Sequence, residues 1–263
     1  MKLLMITLAS LSMVLSAAAQ SGIRPPQLGF AGTADGTLRP IYGVAGNFIL
    51  GRPVQDKVIS EAFSGSVGFL KTETTLEAFG KQGQVLATTD AAKGPALFAF
   101  SLDGLAGLAY VPSSNKLVEW KAGQVVAHQV TTSFHSELGT VVAVALPSAY
   151  EGSLIVQRED GIWEVRFSLS PERVASQRAL VGVTAPVVVL ASGELVYSDE
   201  QGIVLRKPDN SEVHIAAHLP VKFSLQQMDA EWVQLSDLAI SRHFAIRLAS
   251  GREGFYELPE AGK

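Results

Sequence analysis

The chain has 263 residues, with 21 Lys and Arg against 25 Asp and Glu, and its formal net charge is −4. This modest, mixed charge provides no basic surface that would neutralise phosphates, so it argues against a nucleic-acid partner. Apolar residues make up 47% and charged residues 17% of the chain, which favours a large buried core and excludes global disorder. The absence of cysteine excludes disulfides, thiolate metal sites, thiol nucleophiles and a lipoprotein anchor.

The N-terminal segment, residues 1–19, is typical of a secretory signal peptide. Lys2 provides the positive charge, residues 3–15 are mostly apolar, and residues 17–19 are three alanines ahead of the expected cleavage site. The apolar run is shorter than the roughly 20 residues that span a bilayer, although an uncleaved membrane anchor is the alternative. We therefore predict a periplasmic or extracellular protein without membrane insertion, in which residues 20–27 form an extended lead-in and residues 28–263 form one domain.

Short strands separated by turns continue along the chain. A strand is predicted at residues 37–42, after a turn at residues 33–36. Residues 61–87 and 98–127 then align with each other, since each segment contains Phe-Ser, a glycine turn, an apolar strand and a later Gly-Gln-Val. Each segment corresponds to four strands joined by hairpin-length turns.

Weaker copies of this unit follow at residues 141–180, 187–218 and 232–258. The third strands of the five units begin 41, 45, 41 and 52 residues apart, at Leu76, Leu117, Ile162, Ile203 and Phe255. Four-stranded antiparallel units at this period are typical of propeller blades.

We therefore predict an all-β fold, a β-propeller of five four-stranded antiparallel blades. The last unit lacks its outer strand, so we expect the N-terminal strand, whose Pro40 suits an outermost position, to complete that blade and close the ring. Six blades are the alternative if residues 28–42 contribute a whole hairpin, and two separate β-sandwiches are a further alternative.

The segment Phe-Ser-Leu-Asp-Gly at residues 100–104, with the apolar strand after it, resembles the repeat of TolB-like and WD40-related β-propellers. Leu102 stands where that repeat has proline. Residues 38–46 also look like the opening of exported bacterial propellers without an assigned function. These resemblances imply an exported repeat protein with a propeller fold, and they carry no catalytic residues to this chain.

The polar residues favour a structural interpretation over catalysis. Aspartates near turns, such as Asp103, Asp160 and Asp199, are expected to bond their own turn backbone. His214 and His218 would lie about 13 Å apart on a strand, too far apart to share a metal ion. Glutamates recur beside aromatic residues in the third strands, which suggests either half-exposed strands or a carbohydrate-binding row; they are Glu77, Glu119, Glu164 and Glu257.

The function favoured by the sequence is a non-catalytic binding or scaffold module, a monomer that engages a protein or glycan through a neutral loop face. We expect no cofactor and no metal. The longer predicted loops, residues 131–140 and 220–231, provide the candidate binding residues, which are His135, Glu137, Lys222 and Gln226. The alternative is an exported hydrolase or lyase acting on glycans or lactones, which would need several Asp, Glu, His or Asn side chains at one mouth of the channel.

Overall fold

The computed structural model describes residues 25–65, 67–121, 124–129, 139–169 and 172–260. They form six antiparallel sheets that follow one another along the chain. Blade 1 consists of β1 (Gln27–Gly32), β2 (Leu38–Val44) and β3 (Asn47–Leu50). Blade 2 consists of β4 (Ser60–Ser64), β5 (Val67–Lys71), β6 (Thr75–Gly80) and β7 (Val85–Asp90). Blade 3 consists of β8 (Leu97–Phe100), β9 (Ala106–Val111), β10 (Lys116–Lys121) and β11 (Gln124–Gln129).

The other three blades have four strands each. Blade 4 consists of β12 (Thr140–Ser148), β13 (Glu151–Arg158), β14 (Gly161–Leu169) and β15 (Glu172–Ala179). Blade 5 consists of β16 (Val188–Val189), β17 (Leu195–Asp199), β18 (Gly202–Arg206) and β19 (Glu212–Ala216). Blade 6 consists of β20 (Phe223–Asp229), β21 (Trp232–Asp237), β22 (His243–Arg247) and β23 (Gly254–Glu257). A short 3₁₀ turn, Pro112–Ser114, joins β9 to β10.

The first strand of each blade is the innermost one. Each of these strands contacts the first strand of the next blade, and β20 contacts β1, which makes the six sheets a ring. The predicted all-β propeller of four-stranded antiparallel blades is therefore confirmed, with the exception that three strands are described in blade 1.

The predicted number of five blades is wrong, because the structure has six. The condition set for the alternative is met, since residues 27–44 form a whole hairpin. The segment 220–231, predicted to be a loop, contains β20 at residues 223–229, so the strand that the sequence missed in the last blade is the innermost one and not the outer one. Blade 6 thus takes all four strands from its own segment. The strands of blade 1 pair with one another and, through a single bridge from Leu38 to Gln55, with the segment after β3. The expected sharing of an N-terminal strand with the last blade is not found.

The hydrophobic core lies between adjacent blades, where their faces meet. Between blades 2 and 3, Phe69 stacks on Phe98 and Phe100, with ring centroids 5.8 and 5.7 Å apart. Gly107 in β9 lies directly beneath Phe69, and a Cβ atom on this residue would stand 2.4 Å from the Phe69 ring. Burial of each such ring stabilises the fold by about 1.5–3 kcal/mol.

Two of the three aspartates predicted to bond their own turns, Asp103 and Asp199, do so. Asp103 accepts hydrogen bonds from the Ser101 hydroxyl and from the Leu105 amide, at 2.6 and 3.0 Å. Asp199 accepts from the amides of residues 201 and 202. Asp160 instead accepts from the Trp163 indole, at 2.9 Å. These carboxylates therefore hold turns and strand ends in place.

Candidate binding cleft between blades 4 and 5

A cleft of about 710 Å³ lies between blades 4 and 5. It is lined by residues from the strands of both blades and by the turns that join β16 to β17 and β18 to β19. A cleft of this volume, with apolar walls and a few polar groups, is typical of a ligand-binding site.

Small side chains leave this cleft open. Blade 4 presents the small side chains of Ala145 and Ser153 to blade 5. In contrast, the interface of blades 2 and 3 is filled by phenylalanine rings. Deeper in the same interface the two blades are in apolar contact through a buried cluster that includes Ala143, Val189 and Val204. The inner part of the interface therefore holds the blades together, and the cleft occupies the rest.

The register of blade 4 places four polar side chains on one face. Glu164 and Arg166 lie two residues apart on β14, so they point to the same side of the sheet. Ser153 pairs with Arg166 across β13, and Arg178 pairs with Glu164 across β15. All four residues line the cleft.

Glu164 is the centre of this group. Its carboxylate accepts hydrogen bonds from the Ser153 hydroxyl at 2.9 Å, Arg166 Nε at 3.2 Å and Arg178 Nε at 2.5 Å. Burial acts to raise the pKa of Glu164, but the three hydrogen bonds outweigh it and hold the pKa below its usual value. Glu164 is therefore an anion at neutral pH and holds both arginines.

The two arginines retain unused donors. Each one bonds Glu164 through Nε alone, so the Nη1 and Nη2 groups of Arg166 and Arg178 have no partner among the described residues. Their side chains are 52% and 62% exposed. The planar ends of two guanidinium groups are thus held at the cleft with four N–H donors each available.

The opposite wall is built around Arg206. This guanidinium donates to the Tyr197 hydroxyl, the Glu212 carboxylate and the Val181 carbonyl, each at 2.7 Å. Hydrogen bonds from Tyr197 and Arg206 lower the pKa of Glu212, whereas burial, followed by the hydrogen bond to Glu212, raises the pKa of Tyr197 to about 12. All three nitrogens of the Arg206 guanidinium are thus hydrogen-bonded within the fold, and Lys207 beside it interacts electrostatically with the carboxylates of Asp209 and Glu253.

The cleft differs in charge from the chain as a whole. Its described lining contains four cations, Arg166, Arg178, Arg206 and Lys207, against two carboxylates, those of Glu164 and Glu212, which gives +2 on a chain of net charge −4. The neutral contact face expected from the overall charge does not describe this cleft.

The binding residues proposed from the sequence do not come together in the described part of the chain. Lys222 lines a shallow depression of about 600 Å³ between blades 5 and 6, together with Val221 and Leu238. Gln226 lies on β20 and faces the central channel, in a cavity of about 370 Å³. His135 and Glu137 lie outside the described residues.

The channel cavity has mainly apolar walls and one carboxylate, that of Glu61. Glu61 Oε1 accepts a hydrogen bond from the Gly32 amide at 2.8 Å, and burial raises the pKa of this carboxyl from 4.5 to about 7. Asp, Glu, His and Asn are otherwise missing from the described lining of this cavity, so the cluster that the hydrolase alternative requires is not found there.

Among the described residues, no group of three or more His, Asp or Glu side chains lies where it could hold a metal ion. His214 instead pairs with Asp199 at 3.2 Å and lies 3.7 Å from Glu212. No helix in the described ranges is long and apolar enough to cross a membrane.

The sequence contained a signal for the cleft. Glu164 was identified as one of the recurring third-strand glutamates, but its neighbours at the same face, Arg166, Ser153 and Arg178, were not. The spacing of Glu164 and Arg166 places both on one side of a strand, and this is visible in the sequence. The pairing with Ser153 and Arg178 depends on the register of three strands, which the sequence does not specify alone.

Comparison with solved structures supports the propeller fold. A chain in a crystal structure of a nidogen/laminin complex superposes with a TM-score of 0.54 and 13% identity, covering 89% of this chain and 99% of that one. TolB from Acinetobacter baumannii gives 0.52 and 14%, covering 80% of this chain and 56% of that one. The β-propeller domain of Swd1 from Myceliophteria thermophila gives 0.45 and 11%, covering 78% and 72%. No family model and no curated protein matches the chain.

These likenesses define the class of protein as a β-propeller. The predicted resemblance to TolB-like propellers is confirmed at the level of the fold. At identities this low, the likeness extends to architecture and not to activity.

Proposed function

We propose that the chain is an exported, non-catalytic binding propeller that engages a protein or glycan partner, and that the cleft between blades 4 and 5 is its contact site. The export part of the proposal rests on the signal-like sequence of residues 1–19. The binding part rests on the cleft. A propeller provides a rigid scaffold on which such a site keeps its shape.

The observation that carries this proposal is that Arg166 and Arg178 each use only Nε for hydrogen bonds within the described residues. Arg166 and Arg178 are fixed by one carboxylate, yet each presents its Nη groups to a cleft of about 710 Å³. A purely structural ion pair would be expected to use its donors within the fold, as Arg206 does. Donors that are held in place and left open are characteristic of a recognition site.

The structural neighbours support the same interpretation. The nidogen/laminin structure is that of a complex between two proteins, and its chain shares this architecture over nearly its whole length. We transfer from it only the general role, a propeller that takes part in a protein complex, and not the identity of a partner.

Partner capture with matched variants tests the proposal. The mature protein is immobilised and exposed to periplasmic and culture-supernatant extract at about 50 and about 300 mM salt. We expect one protein or polysaccharide to be retained by the wild type and lost with the Arg166→Gln, Arg178→Gln double variant. Arg173→Gln is the control, since Arg173 lies on the same strand β15 and does not line the cleft.

Equal retention by the wild type and by a folded double variant would contradict the cleft as the contact site. Retention of nothing specific by any form would contradict the binding function itself. The circular dichroism spectrum and thermal midpoint of each variant establish that the propeller is intact.

A further inference from the structure

We infer that the cleft between blades 4 and 5 holds an extended peptide segment of a partner protein, with a carboxylate of that segment between Arg166 and Arg178 and aliphatic side chains along the cleft walls. This inference rests on the proposed binding function and specifies its ligand.

The charge of the ligand follows from the arginines. Both guanidinium groups bond the same Glu164 carboxylate, Arg166 at Oε1 and Arg178 at Oε2, so one carboxylate holds both at the cleft. The Glu164 carboxylate neutralises only one of the two guanidinium charges, and a carboxylate of the ligand would neutralise the other. The guanidinium fork matches a carboxylate with two parallel hydrogen bonds, which a lysine does not provide. The positive cleft on an acidic protein would also attract such a ligand from solution.

The apolar part of the ligand follows from the walls. Pro147 from blade 4, Val181 in the segment between the two blades and Leu195 from blade 5 line the cleft with exposed or partly exposed apolar surface. These side chains are aliphatic, and none of the described residues that line the cleft is aromatic. A sugar would lack the aromatic ring face on which sugar C–H groups stack, whereas leucine- or valine-like side chains would find matching surface.

The extended shape follows from where the polar groups lie. Arg166 and Arg178 occupy the blade 4 wall, and Lys207 and Asn210 occupy the blade 5 wall at the β18–β19 turn. Asn210 has a left-handed backbone conformation, φ 66°, at this turn. A peptide has donors, acceptors and side chains along its whole length, so it can satisfy both walls. A fatty acid has one charged end and does not.

A selection from random peptides tests the inference without assuming a sequence. Random dodecapeptides displayed on phage are selected on the wild-type protein, on the Arg166→Gln, Arg178→Gln variant and on the Arg173→Gln control. We expect the wild type and the control to enrich peptides with Asp or Glu flanked by aliphatic residues, and the double variant to lose this enrichment. A selected peptide should bind the double variant at least tenfold more weakly, and its Glu→Gln version should lose a similar factor.

A charge-preserving variant separates geometry from charge. The double variant Arg166→Lys, Arg178→Lys keeps the net charge of the cleft but lacks the planar pairs of guanidinium N–H donors. We expect it to bind the selected peptide several-fold more weakly than the wild type. Unchanged binding by this variant would contradict the carboxylate-and-fork arrangement. It also guards against misfolding, because it retains cations beside Glu164.

Two small probes exclude the other ligand classes. Trigalacturonate carries carboxylates on sugars, and decanoate carries one carboxylate on an aliphatic chain. Binding of either probe at the cleft with no enrichment of acidic peptides would overturn the peptide inference. The proposed function would still stand if the wild type captures a partner that the double variant loses. Enrichment of peptides without acidic residues, or equal enrichment on the double variant, would also overturn the inference.

Discussion

Glu61 provides a direct test of how the ring closes, because its carboxyl lies where blades 1 and 2 meet at the channel. The Gly32 amide donates to Oε1, and the Gly32 carbonyl accepts from Gln234 Nε2 of blade 6 at 3.1 Å. Gly32 permits this approach, since a Cβ atom there would lie 2.4 Å from Glu61 Oε1. The single hydrogen bond does not offset the burial of the charge, which raises the pKa of the carboxyl to about 7.

The raised pKa determines the sign of the pH dependence. Between 4.5 and about 7 the folded protein keeps a proton on Glu61 that the unfolded chain releases. The stability contributed by this group is therefore fully present below about pH 4.5 and is lost as the pH rises through 7. A shift from 4.5 to about 7 corresponds to about 3 kcal/mol in total, of which about 2–3 kcal/mol falls between pH 5 and pH 8.

Urea unfolding of Glu61→Gln across this pH range measures the effect. The amide keeps an acceptor for Gly32 and has no charge, so we expect the free energy of unfolding of wild type relative to the variant to fall by about 2–3 kcal/mol from pH 5 to pH 8. Glu151→Gln, at an exposed position on β13, is the control and should follow the wild type. Parallel pH profiles for wild type and Glu61→Gln would refute the reasoning.

Three further predictions concern packing, the cleft wall and export. Gly107→Ala should lower the free energy of unfolding by about 1–3 kcal/mol in urea, because its Cβ meets the Phe69 ring, and unchanged stability would contradict the stacked interface. Tyr197→Phe should cost about 1–2 kcal/mol by the same measurement, since the hydroxyl bridges Arg206 and Glu212, and no loss would show that the bridge is dispensable. Mass analysis of the exported protein should give an N-terminus at Gln20, and retention of Met1 in the cytoplasm would contradict the signal peptide.

The repeat pattern predicted most of the fold. Strand and turn signals located blades 2 to 5 because those strands are apolar, short and separated by glycine turns. The failure at β20 has a physical cause. Gln226 and Gln227 lie on a strand at the channel, and such polar side chains in a row are typical of a loop in a sequence. Without this strand the sequence pattern leaves the last blade incomplete, and this is why it favours an N-terminal strand as the closing one.

The candidate site was harder to predict than the fold. Overall charge is a property of the whole surface, so it gave no indication that four cations and two carboxylates meet in one cleft. The cleft also depends on small side chains, since those of Ala145 and Ser153 leave space between the two blades. A sequence pattern shows the presence of large apolar residues more clearly than the space left by small ones.

Hydrogen exchange of the captured complex tests the central claim, that the cleft between blades 4 and 5 is the contact site, most directly. Amide exchange is compared between the free protein and its complex with the retained partner. We predict new protection at the segments that line the cleft, residues 145–147, 178–181, 190–193 and 206–210, with little change in blades 1 to 3. Protection confined to the depression around Lys222 or to the channel mouth, with the cleft segments unchanged, would contradict the claim.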